Sequence, residues 1–235
     1  MDTLEEFHYF VSTVYCIQKP EYLETVRMVA NHYIQKDKEK DNQMLVMTKS
    51  FVHEPVMEEF NKYVSQTAWN ILKSQGFAVD GMYTYFTEMW AQQHNWHSHI
   101  ETHVHGHRAQ ISAFYFLETP KNGCQLVIHD PRHAKVIVNL PEENREKVTA
   151  ASSRIVMTPQ AGTLVLTNSW LPHNFTKNFS KSPYTFVHMN LSTEAIPPDS
   201  DKKCTCKKCN PVTPVIGIDE CCEMESCPAF ESSRL

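Results

Sequence analysis

Short runs of aromatic and β-branched residues, separated by turn sequences, fill the middle of this 235-residue chain from Gly81 to about Leu191. Such residues favour extended strands, and no helical pattern lies between the runs. Turns are indicated at residues 119–123, at Asp130-Pro131 and at residues 159–162. About seven strands without intervening helices predict an all-β barrel or sandwich. The predicted strands are 82–90, 111–117, 125–129, 135–138, 154–158, 163–167 and 184–190.

The residues before this region have a helical pattern instead. Pro20 and Pro55 each suit the first turn of a helix, and Gly76 suits the end of the second one. Apolar residues recur at helical spacing along one face of each segment, so both helices are expected to pack on a sheet. Three regions follow: a helical region at 1–78 that packs on the β domain, the β domain at 79–194, and a cysteine-rich tail at 195–235.

Histidines are concentrated at one point of the β region. Six of the thirteen lie between residues 94 and 107, and His173 follows later in a Trp-Leu-Pro-His turn. Neutral imidazole is the commonest protein ligand for transition metals. In an extended segment, His103-Val-His105 directs both rings to one side, and His99-Ile-Glu101 does the same one step earlier. Either pair, completed by His173, predicts a metal site that suits iron. The six clustered histidines are His94, His97, His99, His103, His105 and His107.

An ordered series of motifs resembles the iron(II)/2-oxoglutarate dioxygenases, and most of all a phage and bacterial branch of prolyl-hydroxylase-like oxygenases. The series covers about residues 80 to 192. It comprises His103-Val-His105, Ser112-Ala-Phe-Tyr-Phe-Leu117, Ile128-His-Asp-Pro-Arg132, Pro159-Gln-Ala-Gly-Thr-Leu164, Ser169-Trp-Leu-Pro-His173 and Met189-Asn190. The resemblance implies a mainly β, double-stranded β-helix barrel (jelly-roll or cupin-like) with two N-terminal helices packed on it. It also implies Fe(II), 2-oxoglutarate as cosubstrate, and hydroxylation of an unactivated C–H bond.

Two departures from the family pattern concern the ligands and the cosubstrate. The family carries two histidines and a carboxylate, and His105 stands at the carboxylate position, so the favoured set is His103, His105 and His173. The alternative set of His99, Glu101 and His173 restores the carboxylate. The family also binds the far carboxylate of 2-oxoglutarate with an arginine on the last strand, where this chain has Tyr184. Other residues that could supply this contact are Lys181, Tyr115, Arg108 and Arg132.

The resemblance suggests a peptide or protein as substrate, or a small molecule, with Trp96 and Trp170 lining the entrance. Two alternatives to a 2-oxoglutarate oxygenase stay open. One is a three-histidine dioxygenase of the cupin kind that does not use 2-oxoglutarate. The other is a non-enzymatic metal-binding or adaptor protein.

Composition narrows the partners and the compartment. A net charge of −5 gives no electrostatic reason to expect nucleic acid, and no apolar run is long enough for a membrane span. The acidic N-terminus is unlike a signal peptide, so a cytoplasmic location is expected, or the host cytoplasm if the chain is phage-encoded. In a reducing compartment the tail cysteines favour a metal such as zinc, with Cys206, Cys209, Cys221 and Cys222 as ligands. The oligomeric state is left open.

Overall fold

Two antiparallel sheets form most of the computed structural model, which describes residues 5, 10–38, 44–106, 108–138 and 140–196. The helices are α1 (Leu23–Lys38), α2 (Glu58–Ser74) and the short α3 (His133–Val138). The first strands are β1 (Val14–Gln18), β2 (Leu45–Met47), β3 (Met82–His94), β4 (Ile100–His103) and β5 (Ile111–Glu118). The others are β6 (Leu126–His129), β7 (Arg154–Met157), β8 (Thr163–Asn168), β9 (His173–Phe175) and β10 (Tyr184–Ala195). Single 3₁₀ turns, Pro20–Tyr22 and Pro55–Met57, lead into α1 and α2.

The strands divide between a large and a small sheet. The large sheet has the order β1-β8-β5-β10-β3-β2, and the small sheet has the order β4-β9-β6-β7. The long strand β10 lies at the centre of the large sheet, between β5 and β3. The mainly β fold predicted from the sequence is therefore confirmed.

Helices α1 and α2 cover one face of the large sheet. Phe60, Val64, Ala68 and Leu72 recur every four residues along α2, so they form one face of that helix and are buried. Their burial against the sheet contributes about 1.5–3 kcal/mol for each of the larger side chains. This helix-side core fixes the large sheet as a platform for the residues on its other face.

The opposite face of the large sheet packs against the small sheet through aromatic side chains. Phe114 and Phe186 come from the large sheet and Phe175 from the small one, and all three are buried. The rings of Phe175 and Phe186 stack with their centroids 4.3 Å apart. This inter-sheet core borders the histidine site described below.

The N-terminal region contributes two strands in addition to its two predicted helices. The sequence analysis did not predict these strands. Strand β1 pairs with β8 and strand β2 pairs with β3, so both lie at the edges of the large sheet. Short edge strands with mixed polarity give little periodic signal. The proposed boundaries at residues 78 and 194 stay predictions.

The strand predicted at 135–138 was wrong, because this segment belongs to helix α3. Its β-branched residues favour a strand, but Ile137 is 82% exposed and has no sheet to pack on. The Asp130 carboxylate accepts the backbone N–H of Arg132, two residues on, and so forms a turn just before the helix. In the part of the chain that the structure describes, no helix is both long and apolar enough to cross a membrane.

Candidate metal centre

Strand pairing brings the histidines of the favoured set together. His103 ends β4 and lies directly opposite His173, the first residue of β9. His105 follows two residues after β4, and its backbone N–H donates to the carbonyl oxygen of Ser169 at 2.9 Å. That hydrogen bond holds the segment after β4 against the loop before His173.

The three imidazoles converge at one end of the space between the sheets. One ligand nitrogen from each ring lies within 4.8 Å of the others. The ring centroids of His103 and His173 are 4.6 Å apart, and those of His105 and His173 are 5.1 Å apart. Among the described residues, this is the group whose geometry suits a metal ion.

Backbone carbonyls fix the proton on two of the rings. His103 Nδ1 donates to the carbonyl oxygen of Glu101 at 2.8 Å, and His173 Nδ1 donates to that of Leu171 at 2.9 Å. A carbonyl oxygen only accepts, so each Nδ1 carries the proton and each Nε2 keeps a lone pair. Such contacts orient metal-binding imidazoles in many proteins.

Burial keeps the deeper rings uncharged. Desolvation lowers the pKa of His105 to about 4 and that of His173 to about 3. Neighbouring histidines lower both values further, because two cations would repel. Both rings are therefore neutral at pH 7, the form that binds a metal.

The donor set fits Fe(II). The Nε2 atoms of His105 and His173 are buried and have no hydrogen-bond partner. Leaving a buried polar atom unpaired costs about 1–3 kcal/mol, so two such nitrogens at one point are suited to coordinating a metal ion. Imidazole nitrogens suit iron, and three of them leave positions for exogenous ligands.

Polar residues of the large sheet surround His105. Asn190 Nδ2 lies 3.2 Å from His105 Nδ1 and donates to the Glu88 carboxylate at 2.9 Å. The Asn190 carbonyl oxygen accepts from the Ser112 hydroxyl at 2.9 Å and lies 3.3 Å from His188 Nε2. The side chain of Asn190 thus joins three strands to the metal centre.

A fourth imidazole, that of His188, packs beside the site. Its centroid is 4.5 Å from that of His105, and it stacks on the Trp90 ring at 4.3 Å with the planes 9° apart. Burial lowers the pKa of His188 well below its ordinary value, so this ring is neutral as well.

The alternative ligand set is not brought together. His99 and Glu101 contact each other at 3.1 Å, and both side chains are exposed. His94 is buried, with one ring nitrogen 3.0 Å from the Ser98 hydroxyl, and His97 packs against Trp96. His107 lies outside the described residues.

Four of the predicted cosubstrate residues have other partners or are exposed. The Tyr115 hydroxyl donates to the carbonyl oxygen of Lys19, and the ring packs against helix α2 through Phe60. Arg132 makes a bidentate ion pair with Asp130. Lys181 is exposed in the turn before β10. Arg108 adopts a positive φ of 74° in the loop after His105.

Tyr184 differs, because it lies in the inter-sheet core. Its ring packs against Phe116, Phe175 and Phe186, and its hydroxyl is buried without a partner. Burial raises its pKa far above the ordinary value, so the hydroxyl stays protonated and can donate. Tyr184 is on the same face of β10 as Phe186 and His188, which follow at intervals of two residues.

The predicted entrance residues are both on the surface. Trp170 is 48% exposed and follows Ser169, whose carbonyl oxygen binds the backbone of His105. Trp96 is 56% exposed and lies on the segment between β3 and β4. The predicted tail ligands Cys206, Cys209, Cys221 and Cys222 lie outside the described residues.

Sequence reasoning missed Glu88 and the role of Asn190. These residues are partners in the β3–β10 register, and Asn190 is also opposite Ser112 on β5. The sequence marked Met189-Asn190 as a motif, but only the strand register shows which side chains meet there.

Comparison with known proteins agrees with this geometry. The family model described as "Putative 2OG-Fe(II) oxygenase" matches residues 88–188. This match begins at Glu88 and spans all three histidines. A search of curated proteins found no match.

Solved structures share the fold at low sequence identity. AviO1 from Streptomyces viridochromogenes is 14% identical with a TM-score of 0.56, covering 80% of this chain and 92% of that one. A prolyl-4-hydroxylase from Pseudomonas putida is 12% identical with a TM-score of 0.52, covering 77% and 92%. The viral collagen prolyl hydroxylase from Paramecium Bursaria Chlorella virus-1, solved with 2OG, is 12% identical with a TM-score of 0.50, covering 76% and 94%. With the family match, these confirm the predicted resemblance.

Proposed function

We propose that this chain is an iron-dependent oxygenase that uses 2-oxoglutarate to hydroxylate a C–H bond of an amino-acid residue in a peptide or protein. The observation that carries the proposal is the convergence of His103, His105 and His173, with two buried nitrogens lacking partners. The matched family supplies the reaction class. We also propose that the two sheets form the double-stranded β-helix barrel of that class.

The three histidines would hold Fe(II), and Glu101 O and Leu171 O would keep two of the rings oriented. When bound, Fe(II) supplies the chemistry of O₂ activation, coupled in this family to the conversion of 2-oxoglutarate to succinate and CO₂. The aromatic residues between the sheets exclude water from one side of the site. Phe114 contacts the edge of His173 and fixes that ring further.

Tyr184 is the residue we propose for the far carboxylate of 2-oxoglutarate. A carboxylate accepts hydrogen bonds, and the buried Tyr184 hydroxyl is a donor without a partner. No lysine or arginine is buried in the part of the chain that the structure describes, so a neutral donor takes the place of the family's arginine. Tyr115, Lys181, Arg108 and Arg132 are weaker candidates, because each is exposed or has another partner.

A prolyl residue is the first substrate to test. Two of the similar structures are named as prolyl hydroxylases, one of them of collagen. Trp170 and Trp96 present exposed rings, and we propose that they contact the substrate as it enters. A small-molecule substrate is the alternative.

The deciding experiment measures succinate and O₂ consumption by anaerobically purified, Fe(II)-loaded protein given 2-oxoglutarate. Proline-containing peptides are added in a second series, and mass spectrometry follows a gain of one oxygen. Succinate that disappears in His173→Ala but persists in His133→Ala, an exposed histidine on α3, supports the proposal. Bound iron without succinate in the presence of any peptide would contradict it.

A second function has one observation in its favour. The ligand group contains no carboxylate, and the described buried residues contain no cation for 2-oxoglutarate. Both features suit a three-histidine dioxygenase of the cupin kind. That enzyme would consume O₂ with a substrate in the absence of 2-oxoglutarate, which the same assay detects.

A further inference from the structure

The proton on His105 is held differently from those on the other two ligands. Both His103 and His173 turn Nδ1 towards a backbone carbonyl oxygen. His105 Nδ1 instead faces the side-chain nitrogen of Asn190 at 3.2 Å. An amide nitrogen can only donate, so His105 Nδ1 must accept and the ring proton must lie on Nε2.

The orientation of the Asn190 amide follows from its other partners. Nδ2 lies 2.9 Å from the Glu88 carboxylate, which accepts. Oδ1 lies 2.9 Å from the Ser112 hydroxyl and 3.3 Å from His188 Nε2, both of which can donate. Turning the amide over would place its oxygen against the carboxylate, so Glu88 determines which end faces His105.

We propose that Glu88 and Asn190 are positioning residues that hold His105 in the tautomer opposite to that of a metal ligand, and so lower the affinity of the centre for metal. This inference rests on the proposed metal site. Iron can bind His105 Nε2 only after the proton leaves that atom and Nδ1 gains one. Asn190 must then turn its oxygen towards His105, a movement that the Glu88 carboxylate opposes.

Glu88→Gln tests this role of Glu88 while keeping the size of the side chain. A glutamine can donate to the turned Asn190 oxygen, so His105 Nδ1 is free to carry the proton. The matched control is Glu194→Gln, an exposed carboxylate near the end of the same strand as Asn190 that contacts Tyr83. Asn190→Asp in the Glu88→Gln background should act in the same direction, because a carboxylate at 190 accepts from Nδ1–H.

The first readout needs no metal. Long-range ¹H–¹⁵N correlation spectra of ¹⁵N-histidine-labelled, metal-free protein at pH 7.5 distinguish the two tautomers of each ring. We expect Nε2–H for His105 and Nδ1–H for His103 and His173 in the wild type. Glu88→Gln should move only His105 towards Nδ1–H. An Nδ1–H form of His105 in the wild type would overturn the inference.

The second readout is anaerobic titration with Co(II) and Fe(II). Partners in contact with metal ligands change affinity by about 10–100-fold, and we expect Glu88→Gln to bind about 10-fold more tightly than wild type and Glu194→Gln. Equal or weaker binding by Glu88→Gln would overturn the inference. Failure of every protein to bind metal would contradict the proposed function, whereas the tautomer of metal-free His105 decides the present inference by itself.

Discussion

His173 lies between the two sheets with Nδ1 bound to the Leu171 carbonyl oxygen and Nε2 unpaired. The side chain is fully buried, which leaves the ring little freedom to move. The sequence predicted that His103, His105 and His173 come together, and they do, although His105 lies just beyond β4 and not within it. Which atom of each ring carries the proton depended on tertiary contacts, which the sequence does not contain.

We expect His173→Ala to lose nearly all bound iron, because two imidazoles do not hold Fe(II) firmly. Metal content measured by mass spectrometry should fall from about one equivalent to near zero, with His133→Ala unchanged. The fold of the variant is checked by circular dichroism. Retained iron in a folded His173→Ala protein would remove His173 from the site.

The same measurement decides between the two ligand sets. His105→Ala should lower iron content, while Glu101→Ala should leave it unchanged, because the Glu101 side chain is exposed and contacts His99 among the described histidines. The reverse result would favour the alternative set.

A third prediction at this scale concerns acid stability. Burial lowers the pKa of His94 to about 4, whereas the unfolded chain protonates near 6.5. Between these values the unfolded state binds a proton that the folded state does not, so stability falls as the pH drops from about 6.5 to 4. The loss from His94 approaches roughly 3 kcal/mol at the acid end. Urea unfolding of metal-free protein at pH 7.0 and 4.5 should show a smaller difference for His94→Gln than for wild type; equal differences would contradict the assignment.

At the scale of the elements, strand alternation predicted most of the β region and helical periodicity predicted α1 and α2. The failure at α3 has a physical reason. Val136, Ile137 and Val138 are β-branched, but they are exposed and have no neighbouring strand on which to pack. Strands β1 and β2 were missed because they are short and lie at the sheet edges.

The turn before β6 gives a prediction at this scale. A Cβ on Gly123 would lie 2.8 Å from the Pro120 carbonyl oxygen and 2.8 Å from Tyr184 Cδ2. Both neighbours are fixed, because the oxygen accepts the Gly123 N–H and the tyrosine is buried. We expect Gly123→Ala to lower the free energy of unfolding by about 1–3 kcal/mol.

Gly106→Ala is the matched control for this stability measurement. A Cβ there meets nothing within 4 Å, and the residue has no positive φ. Denaturant unfolding should therefore show a change of less than about 0.5 kcal/mol, the range typical of surface substitutions. Similar losses in the two variants would mean that the Pro120–Gly123 turn does not press on Tyr184.

At the scale of the whole molecule, the large sheet separates two hydrophobic cores, and only one of them borders the metal centre. The helix-side core contains Phe60 and has no member of the histidine site. The inter-sheet core contains Phe114, whose ring contacts that of His173, and Phe175, which packs against Phe114. Stability is shared between the two cores, whereas the geometry of the metal centre depends on the second.

Phe60→Ala and Phe175→Ala distinguish the effect of each core on stability from its effect on metal binding. Each removes a buried ring, so each should cost about 3–5 kcal/mol in the free energy of unfolding. Phe175→Ala should also weaken Co(II) binding, because it removes the ring that supports Phe114, the neighbour of His173, while folded Phe60→Ala should bind as wild type does. Unfolding by urea and metal titration at low temperature, where both variants stay folded, measure the two effects independently. Equal metal affinities would show that the strand pairing of His103 with His173 positions the ligands without support from the aromatic rings behind them.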